Sequence, residues 1–210
     1  EIRDVILSGG DALLLDDDVL CELISELHAI NHVDIIRLAT RMLTFAPMRF
    51  TPTLLKRLQR FQPIYFLVHI NHPDEVGSEA LDAITQMVDA GFPVLNQTVL
   101  LKGVNDDVET LKTLFHQLST WRVRPYYLHQ CDLIEKTAGF RVPIKEAIAL
   151  YGRLRGQLSG LSIPTFVVDI PGGYGKVSLA PNPIVKEDEQ QIYLRGFDGR
   201  VAAYPLDLPL

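Results

Sequence analysis

The feature that most constrains this chain is a repeated alternation of apolar runs with amphipathic stretches at helical spacing. The apolar runs are largely continuous, which is typical of parallel strands that are buried on both faces. Strands that are joined by helices in this order predict a parallel sheet covered by helices. The predicted strands are Val5–Leu7, Ile35–Ala39, Ile64–His69, Val94–Gln97, Arg124–His129 and Phe166–Asp169.

Helices are predicted between these strands. Thr51 before Pro52 is typical of a helix start, and Gly91 is typical of a helix end. No GxGxxG follows the first strand, and the near-regular strand spacing favours a closed or partly closed (β/α) barrel over a doubly wound sheet. The predicted helices are Asp16–Ala29, Thr51–Phe61, Ser78–Ala90, Asp106–Trp121 and Pro143–Leu158.

The carboxyl-terminal part has a different pattern. Gln191–Tyr204 contains two strand-like runs around a turn at residues 197–199, which predicts a hairpin. We therefore divide the chain into a barrel core at residues 1–190 and a hairpin with tail at residues 191–210. Because Glu1 leads at once into an apolar run, we expect the chain to be a piece of a longer one.

Composition and charge argue against several classes of protein. The net charge is −6 and no block of Lys or Arg is present, so nucleic-acid binding is not expected. No apolar run approaches the length that spans a membrane. Cys21 and Cys131 are far apart and form no CxxC pair, which argues against a disulfide scaffold and predicts a cytoplasmic protein.

Polar groups follow every predicted strand at the same end. The carboxyl ends of parallel strands meet at one edge, so these groups predict a ligand site. Asp132 and Asp169 would be costly to bury unpaired, and two carboxylates in one cavity suit a cationic ligand unless each pairs with a Lys or Arg. The strand-end groups are Ser8–Asp11, Thr40–Arg41, His69–Pro73, Asn96–Gln97, His129–Asp132 and Asp169–Lys176.

The segment Phe166–Lys176, FVVDIPGGYGK, has the most informative chemical pattern. Its glycine amides can approach an anion closely, and its lysine suits either a phosphate counter-ion or an amine that forms a Schiff base. A surface turn is the structural alternative. Gln97 bonds either core backbone or a ligand. His69 and His72 have a metal-ligand spacing, but no third ligand is nearby and a metal is not favoured.

Several segments together resemble the lysine 2,3-aminomutase family of radical S-adenosylmethionine (SAM) enzymes. The similarity runs from Ile2 to about Tyr204. The matching segments are LSGGDALL (7–14), HINHPDE (69–75), NQTVLLKGVND (96–106), RPYYLHQCDL (124–133), PTFVVDIPGGYGK (164–176) and LRGFDG (194–199).

The resemblance implies a fold, a reaction and its cofactors. The fold is a partial parallel (β/α) barrel of the radical SAM type with a carboxyl-terminal hairpin. In the family, a [4Fe–4S] cluster reduces SAM to a 5′-deoxyadenosyl radical, which acts on an amino acid held by pyridoxal 5′-phosphate (PLP). The implied reaction moves the amino group of L-lysine from C2 to C3, giving L-β-lysine. The implied partners are lysine and an electron donor such as flavodoxin or ferredoxin, with no membrane, and a homo-oligomer is compatible.

The resemblance also implies roles for single residues. Lys176 corresponds to the lysine that holds PLP, and Asp132 and Asp169 correspond to two carboxylates that hold the side-chain ammonium of lysine. The other cofactor residues are Gly172, Gly173 and Gly175 for PLP, and Ser8, Gly9, Gly10, Asp11, Arg41, His69 and Gln97 for SAM.

The sequence departs from the family pattern in four places. The CxxxCxxC motif is absent, so the resemblance implies that the first strand of the barrel and the cluster ligands precede Glu1. It also implies no metal ligand in this chain and no activity from this segment alone. Gly139 stands in place of a histidine, Tyr174 in place of a glycine, and Met42–Phe45 in place of a segment rich in proline and valine. Three other functions stay open: forming β-lysine for elongation factor P, acting on arginine or glutamate, and non-catalytic PLP or SAM binding.

Overall fold

A computed structural model describes residues 2–207, and its main feature is a seven-stranded sheet whose first six strands are parallel. Spatial order follows chain order, so each strand–helix unit lies beside the one before it, and the sheet curls into a half barrel. The strands are β1 (Asp4–Leu7), β2 (Ile35–Thr40), β3 (Ile64–Val68), β4 (Val94–Leu100), β5 (Arg124–Gln130), β6 (Thr165–Asp169) and β7 (Lys176–Ser178).

Helices cover one face of this sheet. Burial alternates along β2, where Ile36 and Leu38 are buried while Arg37 is partly exposed, so the two faces have different surroundings. Thr51 caps a helix by accepting the Leu54 N–H at 3.1 Å, as the sequence predicts. The helices are α1 (Asp17–His28), α2 (Met42–Phe45), α3 (Pro52–Leu58), α4 (Ser78–Asp89), α5 (Val108–Thr120) and α6 (Ile144–Leu154).

The end of the glycine-rich segment lies in a strand rather than in a loop. Lys176 is the first residue of β7, which runs antiparallel to β6, and it lies directly opposite Asp169. Between them, Gly172, Gly173 and Gly175 have φ angles of 93°, 79° and 86°. A side chain strains the backbone in this region of φ, so the glycines are what permits so tight a return. The turn therefore places lysine against aspartate.

Buried amides fix the strand ends near the centre of the sheet. The fully buried Asn96 accepts the Ile70 N–H at 2.9 Å and donates to the Ile70 carbonyl at 3.0 Å. Asn105 donates to the carbonyls of Asn71 and Val99 at 2.8 and 2.9 Å. Since buried polar groups must find hydrogen-bond partners, these contacts lock the loop after β3 against the end of β4. Asn96 is thus structural.

The predicted hairpin is present in a second, antiparallel sheet. It consists of β9 (Gln191–Arg195) and β10 (Val201–Pro205), and β8 (Ile184–Glu187) adds a third strand. β8 lies before residue 190, so this sheet starts earlier in the chain than the predicted boundary. The predicted tail at residues 205–210 lies in part outside the described residues. Within residues 2–207, no helix combines the length and apolarity needed to cross a membrane.

Candidate active site

At the β1 end of the sheet, three hydrogen bonds hold the carboxylate of Asp11 in place. Its Oδ1 accepts the Leu13 N–H at 3.1 Å, and its Oδ2 accepts the Thr40 hydroxyl at 2.9 Å and the Arg41 N–H at 2.7 Å. These bonds cap a short helix at residues 12–14 and tie the loop after β1 to the end of β2. The carboxylate therefore orders the loop that carries Ser8, Gly9 and Gly10, and these three residues are exposed.

The same end of the sheet has accessible backbone groups at Gly9 and Gly10 and the imidazole of His69. A Cβ at Gly9 or Gly10 would meet no heavy atom within 4 Å, so the backbone groups are accessible. Ser8, Gly9 and Asp11 line a cavity of about 270 Å³. Burial lowers the pKa of His69, the Arg41 cation lowers it further, and the Asp11 carboxylate opposes both. His69 thus lies in the field of these two residues and favours its uncharged form.

At the other end of the sheet, Lys176 and Asp169 form an ion pair. Lys176 Nζ lies 2.8 Å from Oδ1 and 2.6 Å from Oδ2 of Asp169, and the two side chains are 34% and 46% exposed. The Lys176 ammonium also lies 5.8 Å from the centre of the Tyr127 ring, within cation–π range. This end therefore has an accessible primary amine beside a carboxylate and an aromatic face.

His129 connects this ion pair to Gln97. Its Nε2 lies 2.9 Å from Oε1 of Gln97, and its Nδ1 lies 3.9 Å from Oδ2 of Asp169. Burial lowers the pKa of His129 to about 4, and the Lys176 cation contributes in the same direction, while Asp169 opposes it. Gln97 thus bonds a side chain of the site, and His129 is neutral at physiological pH.

A bulge in β5 sets the positions of these side chains. The pairing of β5 with β4 shifts between Asn96 and Gln97, so that Tyr126 is an extra residue in the strand. As a result, the neighbouring Tyr126 and Tyr127 rings lie 3.9 Å apart with their hydroxyls 3.2 Å from each other. The Tyr127 ring also meets the His129 ring edge-on at 5.5 Å.

Asp132 and Asp169 line one cavity of about 410 Å³. Asp132 lies just past β5 and Asp169 at the end of β6, so two adjacent strands deliver the two carboxylates. Arg141 also lines this cavity, but Nε donates to the Asp132 carbonyl at 3.0 Å and the guanidinium also reaches the Ile134 carbonyl. Arg141 therefore holds the loop that carries Asp132, and its donors are partly committed to backbone oxygens.

The predicted site residues thus form two groups along one edge of the sheet. Ser8, Gly9 and Asp11 line the cavity at the β1 end, whereas Asp132 and Asp169 line a different cavity at the β6 end. Among residues 2–207, no group of three His, Cys, Asp or Glu is arranged to hold a metal ion. Both groups lie at the ends of strands, as the sequence predicts, and they line two separate cavities along this edge.

The sequence predicts no role for two residues of the site, Tyr127 and His129. The sequence marks His129 only as a polar residue at a strand end, and it marks Tyr127 only as part of a strand. Their contacts depend on the bulge at Tyr126, which shifts the pairing by one residue and leaves no mark in the apolar pattern. An available signal was the run of aromatic and imidazole side chains in RPYYLHQ, which is unusual for a wholly buried strand.

Comparison with known proteins gives a consistent result. Residues 151–207 match the family model described as lysine-2,3-aminomutase. The chain is 46% identical to an L-lysine 2,3-aminomutase from Fusobacterium nucleatum and 44% identical to one from Clostridium subterminale, over 97% of its length in both cases. It is also 39% identical, over 96% of its length, to a glutamate 2,3-aminomutase from Clostridioides difficile. These matches cover 48%, 49% and 48% of the respective relatives, so the chain spans about half their length.

A solved structure shows the same fold at low sequence identity. A domain of pyruvate-formate lyase-activating enzyme from Bacteroides vulgatus superposes with a TM-score of 0.54 at 16% identity, over 77% of this chain and 97% of that domain. The predicted fold class, a partial parallel (β/α) barrel with a carboxyl-terminal hairpin, is confirmed. Given sequence identities of 46% and 44% over nearly its whole length, the chain belongs to the lysine 2,3-aminomutase family.

Proposed function

We propose that the protein containing this chain is a radical SAM, PLP-dependent aminomutase that converts L-lysine to L-β-lysine. The observation that carries the proposal is the position of the Lys176 amine against Asp169, at a cavity that Asp132 and Asp169 both line. A carbonyl cofactor needs an accessible amine, and a lysine substrate needs negative charge for its distal ammonium. Both requirements are met at neighbouring strand ends.

The residues of β6 and β7 fit a carbonyl cofactor. Lys176 is a primary amine on a strand that a tight turn anchors, and about a third of its side chain is exposed. The turn has three glycines at positive φ, whose backbone amides suit an anionic phosphate. Tyr127 offers an aromatic face beside the amine. When bound, PLP would stabilise unpaired electron density next to the nitrogen that migrates.

The charge in the larger cavity favours lysine over glutamate as the substrate. Asp132 and Asp169 both face the cavity, and the one guanidinium in its lining, from Arg141, is engaged with backbone carbonyls. A distal ammonium can replace Lys176 as the partner of Asp169 once the Lys176 amine is engaged elsewhere. A distal carboxylate would instead meet two like charges, which is unfavourable at close range.

The β1 end fits the amino-acid part of SAM through its backbone. Ser8, Gly9 and Gly10 present exposed backbone groups, and the His69 imidazole favours its neutral form nearby. Asp11 holds this loop in place through three hydrogen bonds. The proposal requires a [4Fe–4S] cluster in the same protein to generate the radical. It also requires an electron donor such as flavodoxin or ferredoxin.

Trapping the cofactor on the protein tests the proposal. The full protein is loaded with PLP, reduced with borohydride and digested, and the peptides are analysed by mass spectrometry. We expect the pyridoxyl group on Lys176 and none on that peptide in Lys176→Arg, because arginine cannot form the bond. Lys186→Arg is the matched control, since Lys186 lies on β8 over the Tyr193 ring and should not affect labelling. Labelling of another lysine in the unmodified protein would refute the assignment.

A further inference from the structure

The proposed function leaves one buried titratable group without a role. The His129 side chain is 16% exposed and lies between Gln97 and Asp169. It belongs to the same edge of the sheet as the Lys176 ion pair, but it lines neither of the two cavities described above. Burying an imidazole costs free energy unless its polar atoms find partners, so the two polar neighbours of His129 call for an explanation.

The contact of His129 with Gln97 determines which ring nitrogen of His129 bears the proton. Nε2 lies 2.9 Å from the Oε1 acceptor of Gln97, so in the neutral imidazole Nε2 is the donor and Nδ1 carries a lone pair. Nδ1 lies 3.9 Å from Oδ2 of Asp169. Two electron-rich atoms facing each other are unfavourable, unless another charge compensates. Lys176 supplies this charge, with Nζ at 2.6 and 2.8 Å from the two carboxylate oxygens of Asp169.

Charged groups from several elements act on His129. Burial has the largest effect and lowers its pKa, and the Lys176 cation on β7 is the next cause. His69, after β3, acts in the same direction, whereas Asp169 on β6 and Asp132 after β5 act in the opposite one. Removing the Lys176 cation therefore leaves two carboxylates as the main charged neighbours of the imidazole. The balance then favours a protonated ring.

We infer that His129 is a positioning residue that replaces Lys176 as the partner of Asp169. When the Lys176 amine is withdrawn from the carboxylate, His129 takes up a proton from solvent at Nδ1 and donates it in a hydrogen bond to Oδ2. Nε2 stays bonded to Gln97, and no other bond changes. The inference rests on the proposed function in one respect: Lys176 is the residue that leaves the pair when it engages a cofactor.

This exchange gives Asp169 a partner in both states. With Lys176 in place, the carboxylate pairs with the ammonium, and with Lys176 withdrawn it pairs with the imidazolium. Asp169 is 46% exposed, so its carboxylate has room to close the remaining distance to Nδ1. The carboxylate thus stays oriented toward the cavity, where a cationic substrate group can displace the weaker imidazolium contact.

The test measures the titration of His129 in the cofactor-free full protein. Histidine labelled with ¹³C and ¹⁵N reports the ring by NMR, and His129→Gln assigns its signal among the six histidines. We expect Lys176→Met to raise the pKa of His129 by about 1 to 2 units, since a neighbouring charge shifts a pKa by roughly that amount. Lys176→Arg keeps the cation, and Lys186→Met removes one at a distance. Both should leave the titration of His129 unchanged.

A double variant tests whether the rise in the pKa of His129 depends on Asp169 or only on the loss of the Lys176 charge. In Lys176→Met with Asp169→Asn, the upward shift should disappear, because the negative charge that stabilises the imidazolium is gone. A pKa that does not move in Lys176→Met, or that rises equally in the double variant, would overturn the inference. Lys176 lies on an exposed strand, so these variants should fold, and Lys176→Gln provides a second neutral side chain. Failure of the proposed function would show instead in the borohydride experiment, as labelling elsewhere.

Discussion

Asp11 and Asp169 lie near opposite ends of the same sheet, and their partners differ in kind. Asp11 accepts hydrogen bonds from two backbone N–H groups and one hydroxyl, at 2.7 to 3.1 Å. Asp169 faces an ammonium at 2.6 Å and an imidazole at 3.9 Å. Backbone donors cannot leave without unfolding the loop, whereas side chains can move or change their charge.

This difference separates a carboxylate that holds the fold from one that is available for chemistry. Residue type and strand-end position are the same for both, so neither distinguishes them. What distinguishes them is whether the surrounding donors belong to the backbone or to ionisable side chains. Asp11 therefore contributes to a binding site by ordering its loop, and Asp169 contributes through its own charge.

The largest effect on the free energy of unfolding is expected from removing the carboxylate of Asp11. Asp11→Ala should lower the free energy of unfolding by about 4 kcal/mol, because three donors lose their acceptor at roughly 1 to 2 kcal/mol each. Asp11→Asn should cost less, since its amide oxygen can still accept one of these bonds. Urea denaturation measures both. If Asp169→Ala destabilises the protein as much as Asp11→Ala, the distinction between the two carboxylates is wrong.

The next effect is a pH dependence that originates at the Asp169 end. His129 has an ordinary pKa of 6.5 that falls to about 4 in the folded protein. Between these values the unfolded chain binds one more proton, so stability should fall as the pH is lowered from 6.5 to 4. The full loss is on the order of 3 kcal/mol.

His129→Gln tests this origin, because glutamine cannot titrate. Its free energy of unfolding should decline less between pH 6.5 and 4 than that of the unmodified protein, as measured by denaturation at each pH. His32→Gln is a matched control, since His32 is exposed. Parallel declines in the unmodified protein and His129→Gln would show that His129 is not the source.

The smallest effect on stability is expected from the exposed ion pair. Asp169→Asn should change the free energy of unfolding by less than about 1 kcal/mol, because the pair is 34% and 46% exposed and partly screened by water. It should nonetheless weaken lysine binding by roughly tenfold or more, through loss of a charged hydrogen bond. Calorimetry with lysine and with SAM separates the two ligands. Equal losses for both ligands in Asp169→Asn and Asp132→Asn would contradict the ammonium-binding role.

The sequence was sufficient to predict the strands and the shared cavity of Asp132 and Asp169. Continuous apolar runs identified β1 to β6, and parallel strands necessarily bring their carboxyl ends to one edge. The predicted fourth strand ended at Gln97, whereas β4 continues to Leu100. The short helix Met42–Phe45 was not predicted, because four residues are too few to show a helical period.

Contacts across strands could not be predicted in the same way. The bond between Gln97 and His129 depends on the register of β4 against β5, which the bulge alters. The pairing of Lys176 with Asp169 depends on β7, a three-residue strand with no apolar pattern of its own. Two of the three partners of Asp11, Thr40 at the end of β2 and Arg41 just after it, are 29 and 30 residues away in sequence. Such contacts are set by the folded register and not by local sequence.

The extra residue in β5 determines which chemistry faces the lysine. Side chains alternate between the two faces of a strand, so a regular pairing with Tyr126 opposite Gln97 would reverse every following position in β5 relative to β4. Leu128, now fully buried under the helices, would then turn toward Lys176, and the imidazole of His129 would enter the apolar layer. The one extra residue thus determines which face each later side chain of β5 occupies, and the same sequence paired without the bulge would present an inert edge in place of an ionisable one.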